Sequence, residues 1–263
     1  MGGYDPNLAQ VGAACRELAR TVHVAYPPWR SLLRDSSFDF DALVDGAMAQ
    51  IAACAPAGPV LLAGYSFGGI VAFMAATRLR AAGRAVGFLG LIDIEARPGI
   101  DAATGMPRLP MTRRQELVGF LGALRRGEGS GRLAYVVARR LTSPRWAPVL
   151  RFYAGIPQSW LPRTFAVYLD RDLLCWRIKP MLHRWEDLRE AVPPLHAPVV
   201  LLRTAQHDAN APRHLGWERC CPDLTVVPVP GTHLDLLGPA NLPALCSAFT
   251  QAVRRALVCE GPP

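Results

Sequence analysis

The sequence predicts an α/β fold in which helices flank a mostly parallel sheet. Short apolar runs rich in β-branched residues alternate with amphipathic helical stretches, which is typical of consecutive βαβ units. The chain has 263 residues, 51% of them hydrophobic, which is enough to bury one full globular core. We therefore predict a single domain over residues 1–263.

The predicted strands are short and are separated by lengths of chain suited to crossover helices. The strands are expected at residues 22–25, 59–63, 86–94, 198–203 and 224–229. The helical patterns cover residues 9–20, 40–54, 69–82 and 241–258. Because strands and helices alternate, neighbouring strands should run parallel and should release their loops at one edge of the sheet.

Residues 97–194 interrupt this alternation. They contain amphipathic stretches that are separated by Gly, Ser and Pro, at residues 113–126, 131–141, 162–176 and 180–191. The interval predicts a helical insertion between two strands. We interpret it as a mobile lid over the loop edge of the sheet.

Charge and cysteine content exclude several classes of protein. The formal net charge of +8 comes almost wholly from arginine, since Lys179 is the only lysine, and no basic run is interleaved with aromatics. We therefore expect no nucleic-acid partner. No apolar run approaches the roughly 20 residues of a membrane helix. The seven cysteines have no metal-ligand spacing and follow no signal peptide, so we expect reduced thiols in a cytoplasmic protein, with no metal site.

A glycine-rich motif, Gly-Tyr-Ser-Phe-Gly at residues 64–68, joins a predicted strand to a predicted helix. This order of strand, sharp turn and helix is the nucleophile elbow of the α/β-hydrolase fold. The turn crowds the backbone around Ser66, so small residues are needed at Gly64 and Gly68. The start of the helix can direct the N–H of Phe67 at a developing oxyanion. We therefore predict an α/β-hydrolase fold with Ser66 as the nucleophile.

A serine hydroxyl needs a base to take its proton, and in this fold the base follows the final strand. His233 has that position, directly after the predicted strand at 224–229 and before the last helix. We interpret the other five histidines as structural. They are His23 in a predicted strand, His183 in the insertion, His196 before a strand, and His207 and His214 after one.

Two aspartates are candidates for the acid that orients the base. Asp93 stands at the end of the predicted strand 86–94, and Asp208 follows the predicted strand 198–203. Either can reach His233, because neighbouring parallel strands release their loops at one edge. The pattern of residues alone leaves both open.

Four short motifs carry a resemblance to a known family. They are Gly-Tyr-Ser-Phe-Gly-Gly at 64–69, Leu-Ile-Asp at 91–93, Leu-Gly-Trp at 215–217 and Gly-Thr-His at 231–233. In these motifs, over about residues 2–258, the chain resembles the thioesterase domains that terminate nonribosomal peptide and polyketide assembly lines, and their fatty-acid synthase relatives.

The resemblance bears on the choice of acid. In such domains the acid usually follows the strand after the nucleophile, and Asp93 lies 27 residues beyond Ser66. Stand-alone editing thioesterases place the acid where Asp208 stands in this chain. The resemblance therefore favours Asp93, with Asp208 as the alternative.

The resemblance also implies an activity. An acyl, peptidyl or polyketide chain would arrive as a thioester on the phosphopantetheine of a carrier protein or upstream synthase module, and would move to Ser66. Water or an internal nucleophile would then release an acid or a ring, with no bound cofactor. The alternatives are a carboxyl-ester hydrolase of the same fold, or a catalytically weak relative that only binds acyl groups.

The insertion offers side chains for an acyl channel and for a carrier protein. The aromatic candidates for a channel are Phe120, Tyr135, Phe152, Trp160, Phe165 and Tyr168. The arginines that could dock an acidic carrier are Arg113, Arg114, Arg125, Arg126, Arg139 and Arg140, although solvated helix faces are the favoured interpretation.

The amino terminus departs from the family pattern. Gly2 and Gly3 look like the end of a loop whose backbone N–H groups complete the oxyanion hole in this family, but no strand precedes them. We expect a sheet that lacks its first strand or strands, and a natural protein that begins upstream of Met1 or a chain that is a piece of a larger synthetase. The predicted strand at 59–63 would then have no neighbour on one side.

Overall fold

A computed structural model describes residues 7–27, 38–97, 137–138, 141, 144–157, 160, 163–207 and 211–259. The chain divides into two compact units. The first comprises Met1–Tyr26, Phe40–Pro107 and Trp185–Pro263, and the second comprises Pro27–Asp39 and Arg108–Arg184.

The described elements follow one another in an alternating order. They are α1 (Leu8–Ala13), α2 (Phe40–Cys54), β1 (Val60–Tyr65), α3 (Phe67–Ala81), β2 (Val86–Ile92), a 3-10 turn (Pro144–Trp146), α4 (Ala147–Tyr153), α5 (Arg163–Arg189), β3 (Val199–Thr204), β4 (Leu224–Val229) and α6 (Leu242–Cys259).

In the first unit the strands form a parallel sheet in the order β1-β2-β3-β4. The register aligns the strand ends, because Tyr65 pairs with Ile92, and Ile92 pairs with Leu202. Farther along β3, Thr204 pairs with Val229 at the end of β4. The residues that follow all four strands therefore emerge at one edge of the sheet.

Helices flank this sheet, and β2 is buried along its whole length. On one face, Phe88 of β2 meets Phe249 of α6 with ring centroids 5.8 Å apart. Gly90 makes this approach possible, because a Cβ there would lie 2.7 Å from the Phe249 ring. Helix α3 packs against β1 and β2. The predicted α/β fold with a parallel sheet is confirmed.

The outer side of β1 is one of the two edges of the described sheet. Among the described residues β1 pairs with β2 alone, and a cavity of about 490 Å³ lies beside it, lined mainly by α1, by the segment Cys15–His23 that follows α1, and by β1. The predicted strand at 22–25 is wrong, because residues 20–27 have no regular structure. The side-chain amide of Gln50 takes up both backbone groups of Ala25, at 3.0 Å and 2.8 Å, in place of a neighbouring strand.

The described part of the second unit is helical and has its own small core. Leu150 and Tyr153 of α4 pack in one apolar cluster with Leu169 and Leu173 of α5. The Tyr153 hydroxyl donates to Asp170 Oδ1 at 2.5 Å within the buried part of this unit. These two buried polar side chains thus form a hydrogen bond with each other.

The predicted helix break near residue 180 is wrong. Helix α5 is continuous from Arg163 to Arg189 with Pro180 inside it. A proline inside a helix removes one backbone hydrogen bond. The buried side chains of Met181 and Trp185, next to it along the helix, offset that loss.

Several predictions about the insertion lie outside the described residues. These include the helical stretch 113–126, most of 131–141 and all six arginines suggested for carrier docking. Of the aromatic candidates, Phe152 and Trp160 have described side chains, which are exposed at 72% and 78%. The behaviour of residues 97–194 as a lid stays a prediction.

Candidate active site

Ser66 sits in a strained turn between β1 and α3. Its φ of 54° and ψ of −135° lie in a region that residues other than glycine rarely adopt. A Cβ at Gly64 would lie 2.0 Å from the carbonyl oxygen of Gly68, so only glycine fits there. The Ser66 N–H donates to Ile92 O at 2.9 Å. The turn therefore projects the Ser66 hydroxyl beyond the sheet edge.

Asp93 occupies a second strained turn, at the end of the neighbouring strand β2. Its φ is 50°, and its N–H donates to Leu202 O of β3 at 2.9 Å. The Asp93 carboxyl group is buried, with a side-chain exposure of 0%. The nucleophile candidate and the acid candidate thus follow two adjacent strands.

Two buried indoles hold the turn that carries Asp93. The Trp217 indole N–H donates to Ile94 O at 2.8 Å, and the Trp185 indole N–H donates to Ala96 O at 2.8 Å. The two indoles also stack on each other, with centroids 5.8 Å apart. Buried carbonyl groups need such donors, so the tryptophans fix the path of the chain after Asp93.

His233 lies between Ser66 and Asp93. Its Nε2 is 2.9 Å from Ser66 Oγ, and its Nδ1 is 2.9 Å from Asp93 Oδ2. An ionised carboxylate can only accept, so Nδ1 carries a proton and donates it to Asp93. Nε2 of the neutral ring is then an acceptor that faces the Ser66 hydroxyl. The three side chains form one hydrogen-bonded chain.

Two further residues fix the position of His233. The Tyr65 ring stacks on the imidazole with centroids 5.0 Å apart, and the Tyr65 hydroxyl donates to the backbone carbonyl of His233. The Gln206 Oε1 accepts from the His233 backbone N–H at 2.8 Å. The ring is therefore held from its face and from its backbone.

The Asp93 carboxylate accepts hydrogen bonds on both of its oxygens. Oδ1 accepts from the Thr204 N–H at 2.8 Å, the Thr204 hydroxyl at 2.7 Å and His207 Nε2 at 3.0 Å. Oδ2 accepts from Gln206 Nε2 at 3.2 Å and from His233. Burial alone would raise the pKa of Asp93, but the bonds from His207, His233 and Thr204 outweigh it and hold that pKa well below its usual range.

His207 bridges two carboxylates. Its Nε2 contacts Asp93, and its Nδ1 is 3.4 Å from Glu95 Oε1, with only 9% of the side chain exposed. The hydrogen bonds to Asp93 and Glu95 raise the pKa of His207 to about 9, although burial acts in the opposite direction. His207 is therefore cationic at neutral pH.

The remaining predicted site residues are distributed as follows. Phe67 is the first residue of α3, where a backbone N–H has no acceptor within the helix, so it can face an oxyanion. Asp208, Gly2 and Gly3 lie outside the described residues.

Sequence reasoning missed the residues that surround Asp93. Thr204 is the last residue of β3, and Gln206 and His207 follow that strand, which is the neighbour of β2 in the sheet. Polar residues directly after adjacent parallel strands meet at one edge, so their position was the available signal. Tyr65, the variable residue before Ser66, carried no such signal.

In the part of the chain that the structure describes, no group of three or more His, Cys, Asp or Glu side chains is placed to hold a metal ion. None of the described helices is long and apolar enough to cross a membrane.

Comparison with known families gives a match over most of the chain. A sequence model of the thioesterase domain matches residues 15–253. The same region contains β1 to β4 and the hydrogen-bonded chain from Ser66 to Asp93.

Similar proteins include a polyketide synthase and an atromentin synthetase. The chain is 30% identical over 161 residues to the non-reducing polyketide synthase atnG of an Arthrinium species, covering 58% of this chain and 8% of that one. It is 46% identical over 54 residues to atromentin synthetase nps3 of Serpula lacrymans var. lacrymans, strain S7.9, covering 20% of this chain and 6% of that one. The chain therefore spans less than a tenth of the length of these relatives.

A solved structure with the same fold is the thioesterase domain of NocB, in covalent complex with a fluorophosphonate nocardicin G analogue. It is 24% identical, with a TM-score of 0.53, over 87% of this chain and 81% of that one. At this level of identity the similarity shows the fold alone.

Proposed function

Because the chain belongs to the thioesterase domain family, we propose that it is a serine thioesterase that releases an acyl, peptidyl or polyketide chain from the phosphopantetheine of a carrier protein. The observation that carries this proposal is the hydrogen-bonded chain from Ser66 Oγ through His233 to Asp93, with both distances at 2.9 Å. Ser66 would be the nucleophile, His233 the base and Asp93 the orienting acid.

The first half of the reaction forms an acyl-enzyme. His233 Nε2 takes the proton of the Ser66 hydroxyl as Oγ attacks the thioester carbonyl carbon. The tetrahedral intermediate then breaks its C–S bond, and the departing sulfur takes the proton from His233. The acyl group is left as an ester on Ser66.

The second half frees the chain. His233 takes a proton from water, or from an internal amine or hydroxyl of the acyl chain, as that group attacks the ester. The tetrahedral intermediate breaks the bond to Oγ, and His233 returns its proton to Ser66. The product is an acid when water attacks, and a ring when an internal nucleophile does.

The negative charge of each tetrahedral intermediate needs hydrogen-bond donors. The backbone N–H of Phe67, at the start of α3, would supply one of them, together with the partial positive charge of the helix terminus. Gly2 and Gly3, which resemble the loop that supplies the second donor, remain candidates outside the described residues.

Asp93 would keep His233 in the reactive tautomer and would stabilise the imidazolium that forms during each proton transfer. Its low pKa supports this role, because a carboxyl group that stays ionised over the working pH range keeps accepting from Nδ1. Asp208 remains the alternative acid.

A carrier protein or an upstream synthase module would deliver the substrate. The relatives are long synthases of which this chain spans a small part, which supports such a setting. Residues 97–194 would act as a lid that covers the acyl chain. The phosphopantetheine belongs to the carrier, so the domain itself would need no bound cofactor.

Mass spectrometry tests this proposal. The intact protein is offered a panel of acyl thioesters of N-acetylcysteamine, and the peptide that contains Ser66 is examined for the mass of the acyl group. We expect an adduct on wild-type Ser66 and none in Ser66→Ala. Turnover of the thioester should exceed turnover of the oxygen ester with the same acyl chain. Equal turnover by wild type and Ser66→Ala would contradict the proposal.

A further inference from the structure

We propose, on the basis of the thioesterase function above, that His207 is a positioning residue: a cation clamped between Asp93 and Glu95 that fixes the Asp93 carboxylate and lowers the basicity of His233. His207 does not contact the reacting serine in this arrangement. It acts on the reaction through the carboxylate that it shares with His233.

The geometry divides the Asp93 carboxylate between two histidines. His233 takes Oδ2 at 2.9 Å, and His207 takes Oδ1 at 3.0 Å. The Thr204 N–H and hydroxyl also donate to Oδ1, so the carboxylate cannot rotate without losing several bonds. This arrangement holds Oδ2 in line with the His233 ring.

The charges favour a protonated His207. A neutral imidazole carries one N–H, so it could donate to Asp93 or to Glu95 but would turn a lone pair toward the other. The imidazolium donates to both. Both carboxyl groups are buried, at 1% and 8% residue exposure, and two buried negative charges close together need a compensating cation. The raised pKa of His207 agrees with this assignment.

The cation also affects His233. An ionised Asp93 attracts a proton to His233, and a base that is already protonated cannot activate Ser66. A positive charge on the opposite side of the same carboxylate offsets part of that attraction. Among the described residues, the charged and titratable groups that these contacts join are Asp93, Glu95, His207 and His233, while Thr204 and Gln206 contribute neutral donors.

The opposite signs of His207 and Glu95 give a test that a merely structural role would not pass. His207→Gln removes the positive charge and keeps an amide donor, so the acidic limb of the pH dependence of kcat/KM and the His233 ring titration should both move to higher pH. Glu95→Gln removes a negative charge at similar shape, so both should move to lower pH. The control His196→Gln changes an exposed histidine that precedes β3, at the opposite end of that strand from His207, and should leave both unchanged.

Two measurements report the direction of these shifts. The first is the acidic limb of the pH dependence of kcat/KM, measured with the octanoyl thioester of N-acetylcysteamine. The second is titration of the His207 and His233 ring signals by NMR, which needs no turnover. In wild type we expect His207 to titrate near 9, not near its ordinary value of 6.5. If a variant does not fold, the titration of the wild-type protein still tests whether His207 is a cation.

The outcomes separate the two proposals. If the NMR titration of the His233 ring moves in opposite directions in His207→Gln and Glu95→Gln, the role of His207 is supported. This holds even if no thioester is turned over and the proposed function fails. Thioester turnover with no shift, or with shifts in the same direction, overturns the role of His207 and leaves the proposed function standing. A wild-type His207 that titrates near 6.5 also overturns it.

Discussion

The turn at Ser66 and the turn at Asp93 have similar backbone conformations but are stabilised by different contacts. Both follow adjacent parallel strands, and both place a residue other than glycine at positive φ, at 54° and 50°. The Ser66 turn is held by close neighbours in sequence, since Gly64 makes room for the carbonyl of Gly68. The Asp93 turn is held from far along the chain, by the indoles of Trp185 and Trp217.

This difference explains why one turn is visible in the sequence and the other is not. A turn that requires glycines can be recognised from a short sequence motif. A turn that is stabilised by donors 89 and 123 residues away leaves no local pattern. The first turn should therefore fail when its neighbours change, and the second when distant residues change.

The largest expected effect comes from removing the side chain of Ser66, in the first turn, or of His233, which joins the two turns. His233→Ala and Ser66→Ala should each reduce kcat by about 10⁶-fold, because members of a triad act as one unit. Steady-state turnover of an acyl thioester measures this, with the circular dichroism spectrum as a check on folding. A residual activity of more than a few per cent in either variant would contradict the assignment.

Breaking the Ser66 turn should be the next largest effect, and it should appear in stability. Gly64→Ala places a Cβ 2.0 Å from a backbone carbonyl that cannot move aside, so we expect a loss of more than about 3 kcal/mol in the free energy of unfolding. Gly46→Ala in α2 is the matched control, because a Cβ there meets nothing within 4 Å. It should stabilise the protein by about 0.5–1 kcal/mol. Urea denaturation of both variants measures the contrast.

Weakening the Asp93 turn should have a smaller effect that extends to activity. Trp217→Phe keeps an aromatic ring but leaves the carbonyl of Ile94 without its indole donor, which costs about 1–3 kcal/mol. Because Ile94 directly follows Asp93, kcat should also fall. Trp185→Phe removes the donor to Ala96, farther from Asp93, and should reduce kcat less. Equal kcat values in wild type and Trp217→Phe would show that this indole does not position the acid.

The smallest expected effect is a dependence of stability on pH. The pKa of His207 is raised in the folded state from 6.5 to about 9. The contribution of protonated His207 to the stability of the folded protein is therefore fully present below pH 6.5. It is lost as the pH rises through about 9. The gap in unfolding free energy between wild type and His207→Gln, about 1–3 kcal/mol at pH 6, should close near pH 10. A gap that stays constant with pH would argue for packing alone.

The local pattern of apolar residues was sufficient to predict much of the fold. Helix Phe40–Cys54 and strand Leu224–Val229 have the predicted bounds, because each is specified by its own apolar pattern. The strand predicted at 22–25 fails because a strand needs a neighbour, and Gln50 takes that place. The break predicted near Pro180 fails because tertiary packing overrides a single unfavourable residue.

The candidate site was predictable to a lesser degree. Chain order and the elbow motif pointed to Ser66 and His233, which the structure brings within 2.9 Å of each other. The choice between Asp93 and Asp208 needed a family resemblance. The cluster of Thr204, Gln206 and His207 on Asp93 depends on contacts across 111 to 114 residues, so only their position at the end of a neighbouring strand could have indicated it.

In the proposed mechanism the turn after β2 supplies the acid of the active site. The decisive measurement is the kcat of Asp93→Asn beside that of Asp208→Asn, on the same acyl thioester. We predict a loss of about 10⁴-fold for Asp93→Asn, because the amide would hold His233 in the wrong tautomer, and little change for Asp208→Asn. The reverse ranking would contradict the account and would place the acid after β3.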